Sequence, residues 1–178
     1  MRPSRTSRSA ILFCAAGAVL TASGCGYHVV GRANTLPAGV HTIAIPAFAN
    51  RTTTYRIEQR LTEAVTHEFI ARTNYRVVPE SNGADVSLQG EVTNIGSGAV
   101  LFDPTTGRAT TVLVTVNMRV ALQDHNGKIL YQNNNFAFRQ PYEISVDLPS
   151  FFQEEGPALD RMSRDFASQL VSDVLENF

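Results

Sequence analysis

Acid–base or metal chemistry in this chain would have to come from His28, His41, His67 and His125, and their surroundings offer little. Only Glu63 and His67 stand at an i,i+4 spacing that would bring two ligands together on a helix, and two groups do not specify a zinc site. An exposed helix pair accounts for them. Gly96-Ser97-Gly98 lacks the third glycine of a dinucleotide loop, and no Gly-Lys-Ser/Thr follows, so a flexible loop is the simpler reading. There is no Gly-x-Ser-x-Gly elbow, and Asp124-His125 belongs to a turn. These residues predict no catalytic site and no metal centre.

Cys25 is where the sequence offers specific chemistry. It follows Ala22-Ser23-Gly24, which closes an apolar run from Ala10 to Leu20 preceded by Arg2, Arg5 and Arg8. That run is about half of the roughly 20 residues a membrane-spanning helix needs, whereas its basic start and small-residue end fit an export signal. The segment resembles the lipobox of bacterial lipoproteins, with cleavage between Gly24 and Cys25 and acylation of the thiol; Ala22 stands where leucine is more usual. Each buried methylene of an acyl chain contributes about 0.8 kcal/mol, so two or more chains anchor a protein stably. The covalent lipid on Cys25 is the only prosthetic group expected. Gly26, not Asp, follows the cysteine, which by the same resemblance implies sorting to the outer membrane.

Removing the signal leaves 154 of 178 residues, enough for one domain with its own core. Its three arginines come off a total of 15 basic residues, so 12 face 16 acidic ones, a formal balance of −4. A mildly acidic chain without a dense basic run is a poor nucleic-acid binder. Cys14 lies in the signal, so the mature chain has no intramolecular disulfide and depends on its apolar core. The organisation expected is a signal at residues 1–24, a lipidated tether at 25–39 and a single domain at 40–178.

The elements that would build this domain follow from hydrophobic periodicity. His41 to Phe48 reads as a first strand limited by Pro46, which has no ladder donor. Ile57, Leu61, Val65 and Phe69 form a helical stripe over Tyr55–Arg72, with Thr53 or Thr54 as cap and a Glu68–Arg72 ion pair. Tyr75–Val78 is a short strand. Val86, Leu88 and Val92 alternate with polar residues in the next, and Gly96-Ser97-Gly98 with Asp103–Gly107 make a long connection. Val112, Val114, Val116, Met118, Val120 and Leu122 then mark the clearest strand.

The strand at Lys128–Phe138 returns after a three-residue loop, His125-Asn126-Gly127, with Gly127 left-handed. That register sets Leu130 opposite Leu122, Phe136 opposite Val116 and Phe138 opposite Val114, and it sends Gln132 and Asn134 to the apolar face. Pro157 suits the first turn of a final helix with a stripe at Leu159, Met162, Phe166, Leu170 and Val174. An earlier start at Ser150 would kink at Gly156-Pro157. Tyr55, Phe69, Phe136, Phe138, Phe151, Phe152 and Phe166 are core or interface candidates. The fold class expected is α+β, with two helices on one face of a mixed or antiparallel sheet of about four to five strands.

The ordered set Gly24-Cys25-Gly26-Tyr27-His28, Leu36-Pro37-Ala38-Gly39-Val40, Thr42–Thr52, the Ile57–Arg72 helix, Tyr75-Arg76-Val77-Val78, Ala84–Val92 and Ala158–Phe178 resembles the LptE family of lipopolysaccharide-assembly lipoproteins. The individual motifs are degenerate, and the specificity lies in their order. The resemblance implies a lipid-anchored protein on the periplasmic side of the outer membrane that plugs the LptD β-barrel, supports its assembly and helps deliver lipopolysaccharide. It also implies basic lipopolysaccharide contacts, for which Arg108, Arg119, Lys128 and Arg139 are candidates because they lie on or beside the central strands; some are expected to share a patch at one sheet end. The alternative is a regulatory lipoprotein that activates a peptidoglycan synthase or forms part of a secretion pore.

Overall fold

The computed structural model describes residues 36–143 and 157–178. The signal, Cys25, most of the tether, Phe151, Phe152 and the earlier helix start at Ser150 lie outside the described residues. Eight elements follow in order: β1 (Thr42–Ala44), β2 (Ala49–Asn50), α1 (Ile57–Arg72), β3 (Arg76–Val78), β4 (Val86–Phe102), β5 (Ala109–Asp124), β6 (Ile129–Glu143) and α2 (Pro157–Glu176). The strands form one mixed sheet in the order β3-β1-β4-β5-β6, with β2 paired beside β4. β1 runs parallel to β3 and β4, whereas β4, β5 and β6 are antiparallel. This is the expected α+β architecture with a sixth, two-residue strand. Pro46 divides the first expected strand, and pairing resumes at β2.

The core forms as the periodicity requires. The alternate residues of β5 from Val112 to Leu122 are at most 1 % exposed, as are Ile57, Leu61, Val65 and Phe69 of α1. Phe166 of α2 packs edge-on against Phe136 and Phe138, with ring centroids 5.7 and 5.8 Å away. Such edge-to-face pairs add about 0.5–1.5 kcal/mol beyond area burial. Of the two places expected for Tyr55, core or interface, the core is ruled out: its ring is exposed, with the Arg56 guanidinium 5.0 Å from its centre.

Three local expectations are corrected. β4 does not stop before Gly96-Ser97-Gly98 but continues to Phe102, with Gly96 opposite Thr115 and Gly98 opposite Leu113. Neither glycine has a positive φ, so extended pairing with β5 proceeds through them.

Thr53 and Thr54 do not cap α1, whose N-cap is Arg56 at φ 53 without a side-chain cap bond. Asn50 organises the entry: its Oδ1 accepts from the Thr52 N–H and hydroxyl, and its Nδ2 donates to the Thr54 carbonyl and to Glu58. Thr52 and Thr54 are drawn into this Asx turn before the helix begins.

The hairpin loop has Gly127 left-handed at φ 81, with the Gly127 N–H donating to the Asp124 carbonyl. Beyond it the expected pairs do not form. Leu122 faces Tyr131, Met118 faces Phe136 and Val116 faces Phe138. β6 carries one extra residue, Leu130, between the pairs at Gln123 and Leu122, and another at Asn134-Asn135, which oppose Arg119 alone. The first bulge turns Tyr131 and Asn133, not Gln132 and Asn134, to the core face; the second restores parity for Phe136 and Phe138. Tyr131 and Asn133 are satisfied there by donating to Asp173 of α2.

Candidate functional site

Two exposed features stand out on this scaffold: the tip of the β4–β5 hairpin and the sheet face opposite the core. At the tip, Val100, Leu101 and Phe102 are 49 %, 60 % and 58 % exposed. Register shifts between Ala99 and Leu101 and between Leu101 and Phe102 break the alternation, so three successive apolar side chains meet solvent. The turn that follows is tightly built. Asp103 Oδ1 accepts from the N–H groups of Thr105 and Thr106, each at 2.8 Å, and the Asp103 N–H donates to the Arg108 carbonyl at 2.8 Å. The Thr106 and Thr105 amides hold the Asp103 carboxyl below the usual carboxylate range. Gly107, at φ 67, supplies the left-handed step. Exposed Arg108 thus sits beside an apolar tip on a hydrogen-bonded turn.

On the opposite face, cross-strand register arranges polar and small residues in rows. Asn94, Asn117 and Ala137 form one row, Gly96, Thr115 and Arg139 the next, and Gly98, Leu113 and Pro141 a third. Thr93 is the extra residue that sets this phase in β4. Nearer β1, Glu91 accepts from both Arg51 and Arg119. These contacts, Arg51 first, hold the Glu91 carboxyl below its ordinary range, and Glu91 in turn raises Arg51. All three groups are solvent-accessible, so the cluster adds little stability.

The four predicted contact residues therefore fall into three places. Arg108 is at the tip. Arg119 and Arg139 share the outer face, about 14 Å apart along the strands by a rise of about 3.4 Å per residue. Lys128 is in the β5–β6 turn at the other end of β5, about 50 Å from Arg108 along the strand by the same rise. Some of the four were expected to share a patch at one sheet end; Arg108 and Lys128 do not share one with each other, because β5 is a single long strand and they stand at its two ends.

The three described histidines are separated as well, and His28 lies outside the described residues. The His41 N–H donates to Asp85, and His125 contacts Asn126 in the turn. Glu63 and His67 line a cleft of about 370 Å³ where α1 overhangs β3. Among the described residues, no three His, Cys, Asp or Glu side chains could hold a metal ion, and no helix is long and apolar enough to cross a membrane. Sequence reasoning missed the apolar tip, although its signal was present: Val100-Leu101-Phe102 is a non-alternating apolar run directly before turn residues.

Residues 40–174 match the family model described as LptE, lipopolysaccharide-assembly. Comparison with curated protein sequences gave no match. Among solved structures, the chain is similar to lipoprotein B of Nitrosomonas europaea, at 13 % identity and a TM-score of 0.51, covering 84 % of this chain and 90 % of that one. It is also similar to a protein of Chlamydia trachomatis, at 7 % identity and a TM-score of 0.54, covering 78 % and 97 %. A third is a protein of Xanthomonas campestris, at 12 % identity and a TM-score of 0.50, covering 79 % and 89 %. At these identities the likeness concerns the fold.

Proposed function

The chain belongs to the LptE family of lipopolysaccharide-assembly proteins, and from that premise we propose that it is the lipid-anchored partner of an LptD-like outer-membrane β-barrel. In this reading it supports barrel assembly, plugs the lumen and helps deliver lipopolysaccharide to the outer leaflet. It acts by binding, as a member of a non-catalytic family, and is not an enzyme. Cys25 carries the acyl anchor and holds the domain on the periplasmic side.

The observation that carries the reading is the hairpin tip. Lipopolysaccharide joins phosphate groups to acyl chains, and the tip offers a guanidinium, Arg108, beside exposed Val100, Leu101 and Phe102. Arginine suits phosphate through paired donors, and an exposed apolar patch suits acyl chains. The polar sheet face at Asn94, Thr115 and Asn117 also suits the polar interior of a membrane barrel. Arg119 and Arg139 remain proposed secondary contacts on that face; Lys128 would need a separate ligand group.

The test is mild detergent extraction of the chain bearing a C-terminal tag, with identification of bound protein and lipid. A large outer-membrane barrel and lipopolysaccharide are expected. The pair Phe102→Ser and Arg108→Glu should lower bound lipopolysaccharide about tenfold while the barrel is retained. Recovery of a peptidoglycan synthase or a homo-oligomeric ring, with neither barrel nor lipopolysaccharide, would overturn the reading.

A further inference from the structure

We infer that the β3 edge of the sheet is a strand-addition site, taking an extended segment of the partner protein whose apolar side chain enters the cleft beneath α1. The first observation is main-chain direction. The Arg76 N–H donates to the His41 carbonyl and the Ile45 N–H to the Val78 carbonyl, so Arg76 and Val78 turn their peptide groups toward β1. In an extended strand, successive residues point these groups to opposite sides, which aims the Val77 N–H and C=O away from β1, at the open edge. No partner for either group is present among the described residues.

The second observation is the space beside that edge. The sheet ends at a strand of three residues, yet α1 continues over it, leaving a cleft of about 370 Å³. Its floor is Ile45, Val77 and Pro79, and its wall is Thr62 and Thr66 of α1. A volume of this size is at the small end of ligand pockets. The unpaired donor and acceptor favour an occupant that is itself extended backbone. Strand addition uses main-chain hydrogen bonds for affinity and a side-chain pocket for selectivity.

Two further details narrow the occupant. Pro79 has no N–H, so the bonds centre on Val77 and the added segment is short. Glu63 lines the cleft and exposed Glu80 follows Pro79, so a basic residue flanking the inserted apolar one is favoured by charge. The donor is the barrel protein proposed above, and this inference rests on that reading for the donor's identity alone.

The experiment compares backbone hydrogen exchange at Val77 in the purified chain and in the detergent-extracted complex. It is paired with photo-crosslinking from a reactive residue placed at Gln59. Exchange at Val77 should slow at least tenfold in the complex, and the crosslink should map to one short stretch of the barrel protein. Thr66→Trp, which fills the cleft from a partly exposed helix position, should abolish both signals. Val77→Pro removes the outward donor and leaves the β1 bonds of Arg76 and Val78 in place; it should abolish the crosslink. Unchanged exchange with the barrel bound would overturn this inference and leave the barrel reading standing. Crosslinks to acyl chains, to a second copy or to this chain itself would also overturn it, whereas failure to recover any barrel would overturn the reading and the inference together.

Discussion

The ring of Phe48 lies against the backbone of Gly90, with its Cδ1 2.7 Å from where a β-carbon on that glycine would stand; the Met118 methyl is 2.6 Å from the same point. This contact lets the segment after Pro46 fold down onto β4, so that Ala49 and Asn50 can pair with Glu91 and Val92. Gly90→Ala should therefore cost about 1–3 kcal/mol by overpacking against a ring with little freedom to move. Denaturant unfolding checks it, and Phe48→Leu in the same chain should recover part of the loss.

Asn50 replaces a helix cap through four hydrogen bonds made by one side chain. Asn50→Ala should lower stability by about 1–2 kcal/mol, the range for losing a cap together with a part-buried network. Asn50→Asp keeps the acceptor for Thr52 but loses the donors and places a second carboxylate beside Glu58. It should recover less than half of the loss. Equal stability of Asn50→Ala and wild type would show that the turn holds without the side chain.

Tyr131 and Tyr142 of β6 each donate to an aspartate of α2, Asp173 and Asp165. Tyr131→Phe should cost about 1–2 kcal/mol, moderated because Asn133 still serves Asp173. Burial, followed by the neighbouring aspartate, raises both phenols above their ordinary range. A raised folded-state value favours the neutral phenol, so this stabilisation is full below about pH 10, the unfolded value, and declines as pH rises beyond it. Melting temperature should show no tyrosine-dependent fall up to about pH 9. Above that, it should fall less steeply in the Tyr131→Phe, Tyr142→Phe pair than in wild type.

Cys25→Ala should release the chain from the membrane fraction while leaving the thermal unfolding of the domain unchanged. Among the described residues the core extends from Leu36 onward and contains no cysteine. Fractionation and circular dichroism together check this. A domain that failed to fold without the acylated cysteine would give that residue a structural part.

Much of the fold was legible because burial writes its period into the chain. The alternation from Val112 to Leu122 declared a half-buried strand, and the stripes at Ile57–Phe69 and Leu159–Val174 declared two one-sided helices that need a common sheet. The three-residue loop at Gly127 was legible through turn chemistry. β6 was not, because its register is decided by distant groups: Tyr131 and Asn133 reach Asp173, about 40 residues on, and two bulges accommodate that contact. Local alternation sums over neighbours and has no knowledge of such a partner. Gly96 and Gly98 misled for a related reason, since isolated glycines favour loops, whereas pairing along β5 holds them extended.

Of the candidate site, the sequence by itself determined the chemistry on offer: one thiol in a context that resembles a lipobox, scattered arginines and no catalytic constellation. The order of its motifs determined the family. Only the tertiary structure decided which charges are neighbours, sending Arg108 and Lys128 to opposite ends of β5, joining Arg51 and Arg119 through Glu91, and exposing Val100, Leu101 and Phe102 together. The physical reason is that residue type and period are local properties carried by the chain, whereas proximity follows from strand order and register. Those are set when the helices and the sheet bury their apolar faces against each other.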